Sequence, residues 1–387
     1  MVVRCFIAAL ASLGLWAGAA HAAHGQHTNA GLGASAAFDT KGILWAAYRD
    51  EKHVVVRQSS DAGQTWSDPV RINTVPEAIA AEGEARPKIA TGPEGEVYVT
   101  WTKPLSKPYT GEIRFARSTD GGENFSEPVT VHADRQEITH RFDALAVGDQ
   151  GRIYVAWIDK RDLEAAKALG QSYAGAAVYV AMSDDRGATF RGDYKLADNS
   201  CECCRIALVP RKDGGLLAFW RHVFEPGIRD HALAGMDGSG RTTSFRRATF
   251  DNWEIEGCPH HGPSLAAGRD GVLHAVWFTQ APGKEGVHYG RLVESGVQAQ
   301  RSVGGEAAAH ADIAVNSSHV VITWKEYDGI RTHLRALVSA DNGRRWEQHD
   351  LATAEYASDQ PRLLQTGGRF YVFWNRSDMP LSVTPVP

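Results

Sequence analysis

Two short segments of the chain combine thiols and imidazoles, which are side chains that bind soft metal ions. The first is Cys201-Glu202-Cys203-Cys204 and the second is Cys258-Pro259-His260-His261. Thiolate and imidazole ligands suit copper(I) and zinc. The sequence therefore predicts a metal site, copper before zinc. Its candidate ligands are Cys201, Cys203, Cys204, Cys258, His260 and His261, joined by His140 and His310 from adjacent repeats.

A structural role for the same cysteines stays open. Disulfides are common in exported proteins. A disulfide from Cys258 to one upstream cysteine would link two repeats covalently. The histidines would then bond only to the backbone. The two roles are partly compatible, because one disulfide would leave two thiols and the imidazoles available.

Residues 1–22 have the features of a secretory signal peptide. Arg4 is followed by an apolar stretch, and Ala20-His21-Ala22 forms an A-x-A cleavage site. The apolar stretch is too short to span a bilayer, and no later stretch is apolar for long enough. We therefore expect a periplasmic or secreted protein that begins near Ala23 and has no membrane span.

The charge balance limits the possible partners. The formal net charge is −5, and no basic tract stands out, so nucleic acid is excluded as a partner. The remaining expected partners are a metal ion or a small anionic or sugar ligand, bound by a monomer.

Apolar runs that contain a tryptophan recur along the chain. Their spacing is roughly 45–65 residues, the period of a four-stranded propeller blade. A shorter apolar run and a polar or glycine turn precede most of them, which predicts a hairpin of two strands. The seven tryptophans are Trp45, Trp101, Trp157, Trp220, Trp277, Trp324 and Trp374.

A turn of the pattern S-x-D-x-G-x-x-[WF] follows the third strand of several repeats. The Ser and Asp side chains can bond turn amides, and Gly can adopt a positive φ. The aromatic residue can pack beneath the turn. The four copies begin at Ser59, Ser118, Ser183 and Ser339.

These turns resemble the Asp-box, or BNR, repeats of the sialidase superfamily, and the resemblance covers nearly the whole mature chain. It implies an all-β protein, a sialidase-like β-propeller of four-stranded blades, over residues 23–387 as a single domain. The seven tryptophan runs favour seven blades over six, with the last blade abbreviated near Pro380–Pro387. The resemblance also implies that the Asp boxes are structural and lie away from the active site.

Residues just ahead of each inner strand should converge at one end of the propeller channel, here called the mouth. Nearly every such position has an ionisable side chain or one that binds soft metal ions. A purely structural propeller would not require this bias. The predicted mouth contains Glu84, Arg86, His140, Arg141, Asp143, Cys201, Cys203, Cys204, Arg205, Cys258, His260, His261, His310, Asp312, Tyr356, Asp359 and Arg362.

Two connections should project to this end. The insertion at residues 160–177 has helix-forming composition. The segment from Trp220 to His231 should bring Arg229, Asp230 and His231 near the cysteines, either around the metal site or as a solvated loop.

The resemblance implies a second possible function, hydrolysis of an acidic sugar. In sialidases three arginines bind the substrate carboxylate, and a tyrosine paired with a glutamate is the nucleophile. Arg86, Arg141, Arg205 and Arg362 could supply the arginines, and Tyr356 the nucleophile. The F/Y-R-I-P strand of the family is not matched, and no glutamate is clearly placed beside Tyr356. A glycan- or protein-binding propeller without catalysis is the third alternative.

Overall fold

The fold is a ring of seven antiparallel sheets. A computed structural model describes residues 32–317 and 319–387. Six sheets have four strands and the last has three, so the prediction of seven blades with an abbreviated last blade is confirmed. The predicted signal peptide, residues 1–22, lies outside the described residues.

The strands follow the chain from blade to blade. The first three blades contain β1 (Ser35–Phe38), β2 (Leu44–Asp50), β3 (His53–Ser59), β4 (Val70–Arg71), β5 (Lys88–Thr91), β6 (Val97–Pro104), β7 (Gly111–Ser118), β8 (Val129–Thr130), β9 (His140–Val147), β10 (Ile153–Asp159), β11 (Ala176–Ser183) and β12 (Arg191–Ser200). The next two contain β13 (Ala207–Pro210), β14 (Leu216–Arg221), β15 (His231–Met236), β16 (Thr242–Arg247), β17 (Ser264–Ala267), β18 (Leu273–Thr279), β19 (Gly286–Val293) and β20 (Gly296–Val303). The last two contain β21 (Ala308–Asn316), β22 (His319–Tyr327), β23 (Thr332–Ser339), β24 (Glu347–Ala354), β25 (Arg362–Thr366), β26 (Arg369–Phe373) and β27 (Val383–Pro385).

The one helix of the described residues, α1 (Arg161–Ala168), lies between β10 and β11. It begins at the insertion for which the sequence predicted helical composition. Within the described part of the chain, no helix is long and apolar enough to cross a membrane.

The tryptophan strands form the core between blades. Every residue of β10 is buried, as expected for a strand covered on both faces. The indole N–H groups of most tryptophans find acceptors: Trp157 Nε1 donates to Asp159 at 2.8 Å and Trp277 Nε1 to Asp251 at 2.7 Å. Trp220 Nε1, in the blade that follows the cysteines, is buried without a partner.

The ring closes through contacts between the first and last blades. The amide of Gly33 donates to Asp359 Oδ2 at 2.7 Å, and the indole of Trp66 donates to the Leu381 carbonyl at 2.9 Å. The Arg86 guanidinium lies 2.5 Å from Asp359 Oδ1. Because these bonds join residues some 300 positions apart, they fix the two ends of the described chain to each other.

The four repeated turns follow β3, β7, β11 and β23, so they lie at the end of the ring opposite the mouth. In the second, the Gly122 amide donates to Ser118 Oγ at 2.8 Å and the Asn124 amide to Asp120 Oδ1 at 3.0 Å. The other three turns have the equivalent pair of bonds. These side chains are engaged within their turns, as the pattern predicted.

Candidate metal centre at the propeller mouth

The cysteine segments lie where the inner strands of two adjacent blades begin. Cys201–Cys204 precede β13, and residues 258–263 precede β17. A Cβ on Gly262 would come within 2.3 Å of Arg205 Cβ. Only a glycine therefore allows the second segment to approach the first this closely.

Three thiols meet at the start of the fourth blade. Cys201, Cys203 and Cys204 are buried, with 1%, 4% and 2% of their surfaces exposed. The Sγ atom of Cys204 lies 3.8 Å from that of Cys201 and 4.0 Å from that of Cys203. All three Sγ atoms lie within 4.8 Å of one another, and Phe142 packs against them. This spacing would allow the three sulfurs to hold one metal ion.

Cys258, which is exposed, adds a fourth sulfur to the three buried thiols. Hydrogen bonding to Cys201 raises the pKa of Cys258 to about 11. Thiol donors from Cys203, Cys204 and Cys258 hold the pKa of Cys201 well below its usual value. Hydrogen bonds to a charged form stabilise that form, which is why the neighbouring thiols lower the pKa of Cys201. All four cysteines of the described chain are free, and the structure contains no bridge of the kind considered for them.

Arg221 and His231 lie beside the cluster, opposite each other across β14 and β15. Both are about 1% exposed. His231 Nδ1 lies 3.1 Å from Thr249 Oγ1, and burial lowers the pKa of His231 well below its usual value, despite the opposing charge of Cys201. The expected position of His231 near the cysteines is therefore observed.

The two residues before His231 bond to other parts of the chain. Asp230 pairs with Arg247, and Arg229 Nε donates to the Ile255 carbonyl at 3.3 Å. None of the described hydrogen bonds or ion pairs joins either residue to a cysteine. Arg221 was not a candidate from the sequence, although an arginine at the end of a buried tryptophan strand was a signal that could have identified it.

Two of the candidate histidines, His261 and His310, lie against each other. His261 stacks on His310 at 4.2 Å and on Phe278 at 4.0 Å. Burial lowers the pKa of His261 to about 4 and that of His310 well below its usual value. His260 is exposed and has a φ of 55°.

His140 faces away from the cluster, into its own blade. It stacks on His132 at 3.9 Å, and its Nδ1 lies 3.1 Å from the Gly111 carbonyl. In the part of the chain that the structure describes, Cys201, Cys203 and Cys204 form the only group with metal-ligand spacing. Three of the predicted ligands therefore have the spacing of a metal site.

Three of the candidate arginines are engaged with groups of the protein itself. Arg86 pairs with Asp359. Arg205 donates to the Pro263 carbonyl at 2.7 Å and the Ala311 carbonyl at 2.8 Å. Arg362 Nη2 donates to a carboxylate oxygen, Oε2 of the buried Glu84, at 2.6 Å.

The charge of Glu84 is stabilised by this arginine cluster. Burial acts to raise the pKa of Glu84, but Arg205, Lys88 and Arg86 outweigh it and hold the pKa below its usual value. Arg86 and Arg362 thus pair with carboxylates of the protein itself.

Arg141 and Tyr356, the other two candidates for sugar chemistry, lie apart from this group. The Arg141 guanidinium lies 5.1 Å from the Phe142 ring centroid, and its Nε is buried without a partner. Tyr356 is 66% exposed, and none of the described hydrogen bonds joins its phenol to a carboxylate. The structure therefore shows no base beside the predicted nucleophile.

Comparisons with known proteins bear on the fold. No family model matches the chain, and no curated protein matches it. Among solved structures it is similar to an ulvan lyase, a polysaccharide lyase bound to -[GlcA(1-4)Rha3S]-. The identity is 9% and the TM-score 0.55, over 92% of this chain and 94% of that one.

Two further solved structures are similar. An α-L-arabinofuranosidase from Fusarium graminearum matches with 13% identity and a TM-score of 0.51, over 80% of this chain and 96% of that one. A sialidase from Trypanosoma rangeli in complex with the inhibitor DANA matches with 10% identity and a TM-score of 0.46, over 92% and 54%. The fold is a sialidase-like β-propeller. At these identities the likeness concerns the fold alone, because one propeller fold carries many functions.

Proposed function

We propose that this protein binds a soft metal ion, copper before zinc, through the cysteines at its mouth. The observation that carries the proposal is the meeting of three buried thiols, Cys201, Cys203 and Cys204, with all Sγ atoms within 4.8 Å. A buried cysteine can pack as a small apolar side chain, but three sulfurs this close together also have the spacing of metal ligands. Metal binding gives the thiols a role that packing does not require.

The donor set favours copper(I). All of its members are sulfur, the donor type that selects copper(I), zinc and iron–sulfur clusters among metal centres. A structural zinc site needs four ligands in a closed tetrahedron, whereas copper(I) accepts two or three thiolates. Here three sulfurs are buried and the fourth, Cys258, is exposed. The three buried sulfurs alone suffice for copper(I), whereas zinc would need Cys258 as a fourth ligand.

The exposed position of Cys258 also provides a route for the ion. Its thiol interacts with Cys201 and Cys203, so it can take an ion at the surface and pass it to the buried sulfurs. This fits a protein that carries or hands over copper in an exported compartment, which the predicted signal peptide supports. Copper(I) itself would keep the thiols from pairing as disulfides.

Variants of the cysteine segment test the proposal. Reduced wild-type protein, titrated with copper(I) under anaerobic conditions against a chromophoric chelator, should bind about one equivalent. Cys203→Ser and Cys204→Ser each remove one sulfur and should weaken binding at least about tenfold. Ser200→Ala changes the same segment without removing a sulfur, and it should bind like wild type. Equal affinity in all four proteins would refute the proposal.

A further inference from the structure

The four cysteines of the described chain connect the surface of the protein to its interior. Cys258 is exposed, whereas Cys201, Cys203 and Cys204 are buried. The Cys258 thiol interacts with those of Cys201 and Cys203, and more strongly with Cys201. The Sγ atoms of Cys201 and Cys204 lie 3.8 Å apart, which is van der Waals contact. An exposed sulfur is therefore connected to a buried one through Cys201.

Cys201 and Cys204 also have C-x-x-C spacing, at which cysteines of oxidoreductases form reversible disulfides. Cys203 and Cys204 are poorer partners, although their Sγ atoms lie 4.0 Å apart. The Cα atoms of consecutive residues are about 3.8 Å apart, closer than the roughly 4.4–6.8 Å found across disulfides. The segment lies between β12 and β13, outside both strands, so their pairing need not break when the sulfurs of Cys201 and Cys204 approach each other.

We propose that these thiols form a redox relay, in which a soluble disulfide reacts with Cys258 and the oxidation ends as a buried disulfide between Cys201 and Cys204. In the first step the Cys258 sulfur attacks R–S–S–R, which forms Cys258–S–S–R and releases one R–SH. The Cys201 sulfur then attacks the Cys258 sulfur and releases the second R–SH. Finally the Cys204 sulfur attacks the Cys201 sulfur, which closes the buried disulfide and returns Cys258 to its thiol form. The two buried thiols are oxidised and give up their protons, and R–S–S–R is reduced to two R–SH.

Burial is the reason why the exposed cysteine is needed. Cys201 and Cys204 have only 1% and 2% of their surfaces exposed, and the rate of thiol–disulfide exchange depends on access to the attacking sulfur. A disulfide in solution therefore meets Cys258 first. The relay requires no metal. Where the site holds copper(I), as under the proposed function, the buried disulfide would remove two of its three buried ligands and release the ion.

The test treats metal-free, fully reduced protein with oxidised glutathione. Samples are quenched with acid and alkylated at intervals, and their disulfides are mapped by mass spectrometry of peptides. In wild type a glutathione adduct on Cys258 should appear first, and a disulfide between Cys201 and Cys204 should be the final product. Cys258→Ser removes the accessible sulfur, so the buried disulfide should form at least about tenfold more slowly.

A second variant stops the relay one step earlier. Cys204→Ser removes the last sulfur, so a disulfide between Cys258 and Cys201 should accumulate. Ser200→Ala is the matched control, because Ser200 Oγ donates to the Cys201 carbonyl at 3.0 Å and its loss changes the segment without removing a sulfur. This variant should be oxidised like wild type. Circular dichroism and thermal unfolding establish that each variant folds.

The outcomes separate the relay from the proposed function. Unchanged formation of the buried disulfide in Cys258→Ser, or a final disulfide between Cys258 and Cys203, would overturn the relay. If Cys204→Ser does not fold, the wild-type time course decides: an adduct on Cys258 that precedes the buried disulfide supports the relay, and a buried disulfide without that adduct overturns it. Because no metal is present, these results leave copper binding to its own titration, and a protein that binds no copper leaves the relay standing.

Discussion

Arg362 Nη2 donates to Glu84 Oε2 at 2.6 Å, across 278 positions of sequence. This ion pair joins the last blade to the segment before the second, and it engages one of the arginines that the sequence offered for binding a carboxylate. Arg205 lies 3.9 Å from the same Glu84. The mouth therefore contains its own carboxylate, and the arginines around it have a structural role.

The first prediction is that the protein has no sialidase activity above background. Arg86, Arg205 and Arg362 are engaged with groups of the protein, and none of the described hydrogen bonds joins the Tyr356 phenol to a carboxylate. A phenol is a poor nucleophile unless a base takes its proton. The measurement uses a fluorogenic sialoside with wild type and Tyr356→Phe. Turnover typical of a glycosidase that disappears in Tyr356→Phe would contradict this account.

The second prediction concerns the repeated turns at the far end of the ring. Hydrogen bonds from Asn124 and Ser118 lower the pKa of Asp120 to about 2. Its contribution to stability is present above the unfolded pKa of about 3.9 and is lost as the pH falls toward the folded value. Asp120→Ala should lower the melting temperature at pH 7 and leave copper(I) affinity unchanged.

Asp149→Ala is the control, because Asp149 is exposed in a turn at the same end of the propeller and is engaged in none of the described hydrogen bonds. It should melt like wild type. A folded Asp120→Ala protein of unaltered stability that no longer binds metal would show that the turns have a functional role instead.

The third prediction is that the ion pair of Arg86 and Asp359 stabilises the closed ring. Both side chains are buried, with 2% and 7% exposed, and Asp359 also accepts the Gly33 amide. Asp359→Ala leaves the guanidinium without its partner and should lower the free energy of unfolding by about 3–5 kcal/mol. Urea denaturation followed by tryptophan fluorescence measures the change.

Lys167→Ala removes an exposed pair, in which 58% of Lys167 and 41% of Glu164 is accessible. Pairs of that kind contribute about 0–1 kcal/mol. A loss in Asp359→Ala no larger than that in Lys167→Ala would show that the last blade does not depend on this contact.

The fourth prediction is acid sensitivity arising from His132. Burial, followed by the charge of His140, lowers the pKa of His132 to about 3. Its Nε2 accepts the Ile113 amide at 3.1 Å and cannot do so when protonated. Because the unfolded pKa is about 6.5, the stability that the neutral ring provides is present above that value and declines as the pH falls below it.

The measurement compares unfolding free energies at pH 7.5 and pH 5.5. His132→Asn should be less stable than wild type at pH 7.5 but should lose less on acidification. His319→Gln changes an exposed histidine and should keep the wild-type difference. A wild-type pH dependence that persists in His132→Asn would assign the acid sensitivity to other groups.

Much of the fold could be predicted because its signals are local. The tryptophan runs and the Ser–Asp–Gly turns each arise within a few residues, and both repeat once per blade. The meeting of Cys201–Cys204 with Cys258 could also be predicted, because both segments precede inner strands of adjacent blades. That the thiols are free could not be predicted. Disulfide formation depends on the distances between sulfur atoms, which the spacing of cysteines along the sequence does not determine.

The side-chain directions of the histidines could not be predicted, because β-bulges reverse them. The pairing of β9 with β10 shifts between Ala156 and Ile158, where Phe142 has a φ of 57°. The pairing of β21 with β22 shifts between Ala309 and Asp312, where His310 has a φ of 55°. An extra residue moves neighbouring side chains to the other face of a strand, so strand alternation alone does not give the directions of side chains near these shifts.

The most direct test of the central claim is the metal and thiol content of the protein as the cell makes it. Wild-type protein purified anaerobically from the exported fraction is analysed for copper and zinc by mass spectrometry and for thiols by alkylation before and after reduction. The account predicts about one copper per chain, with Cys201, Cys203, Cys204 and Cys258 all free once the metal is removed. Two disulfides among these cysteines, with no metal retained after reduction and reloading, would contradict it.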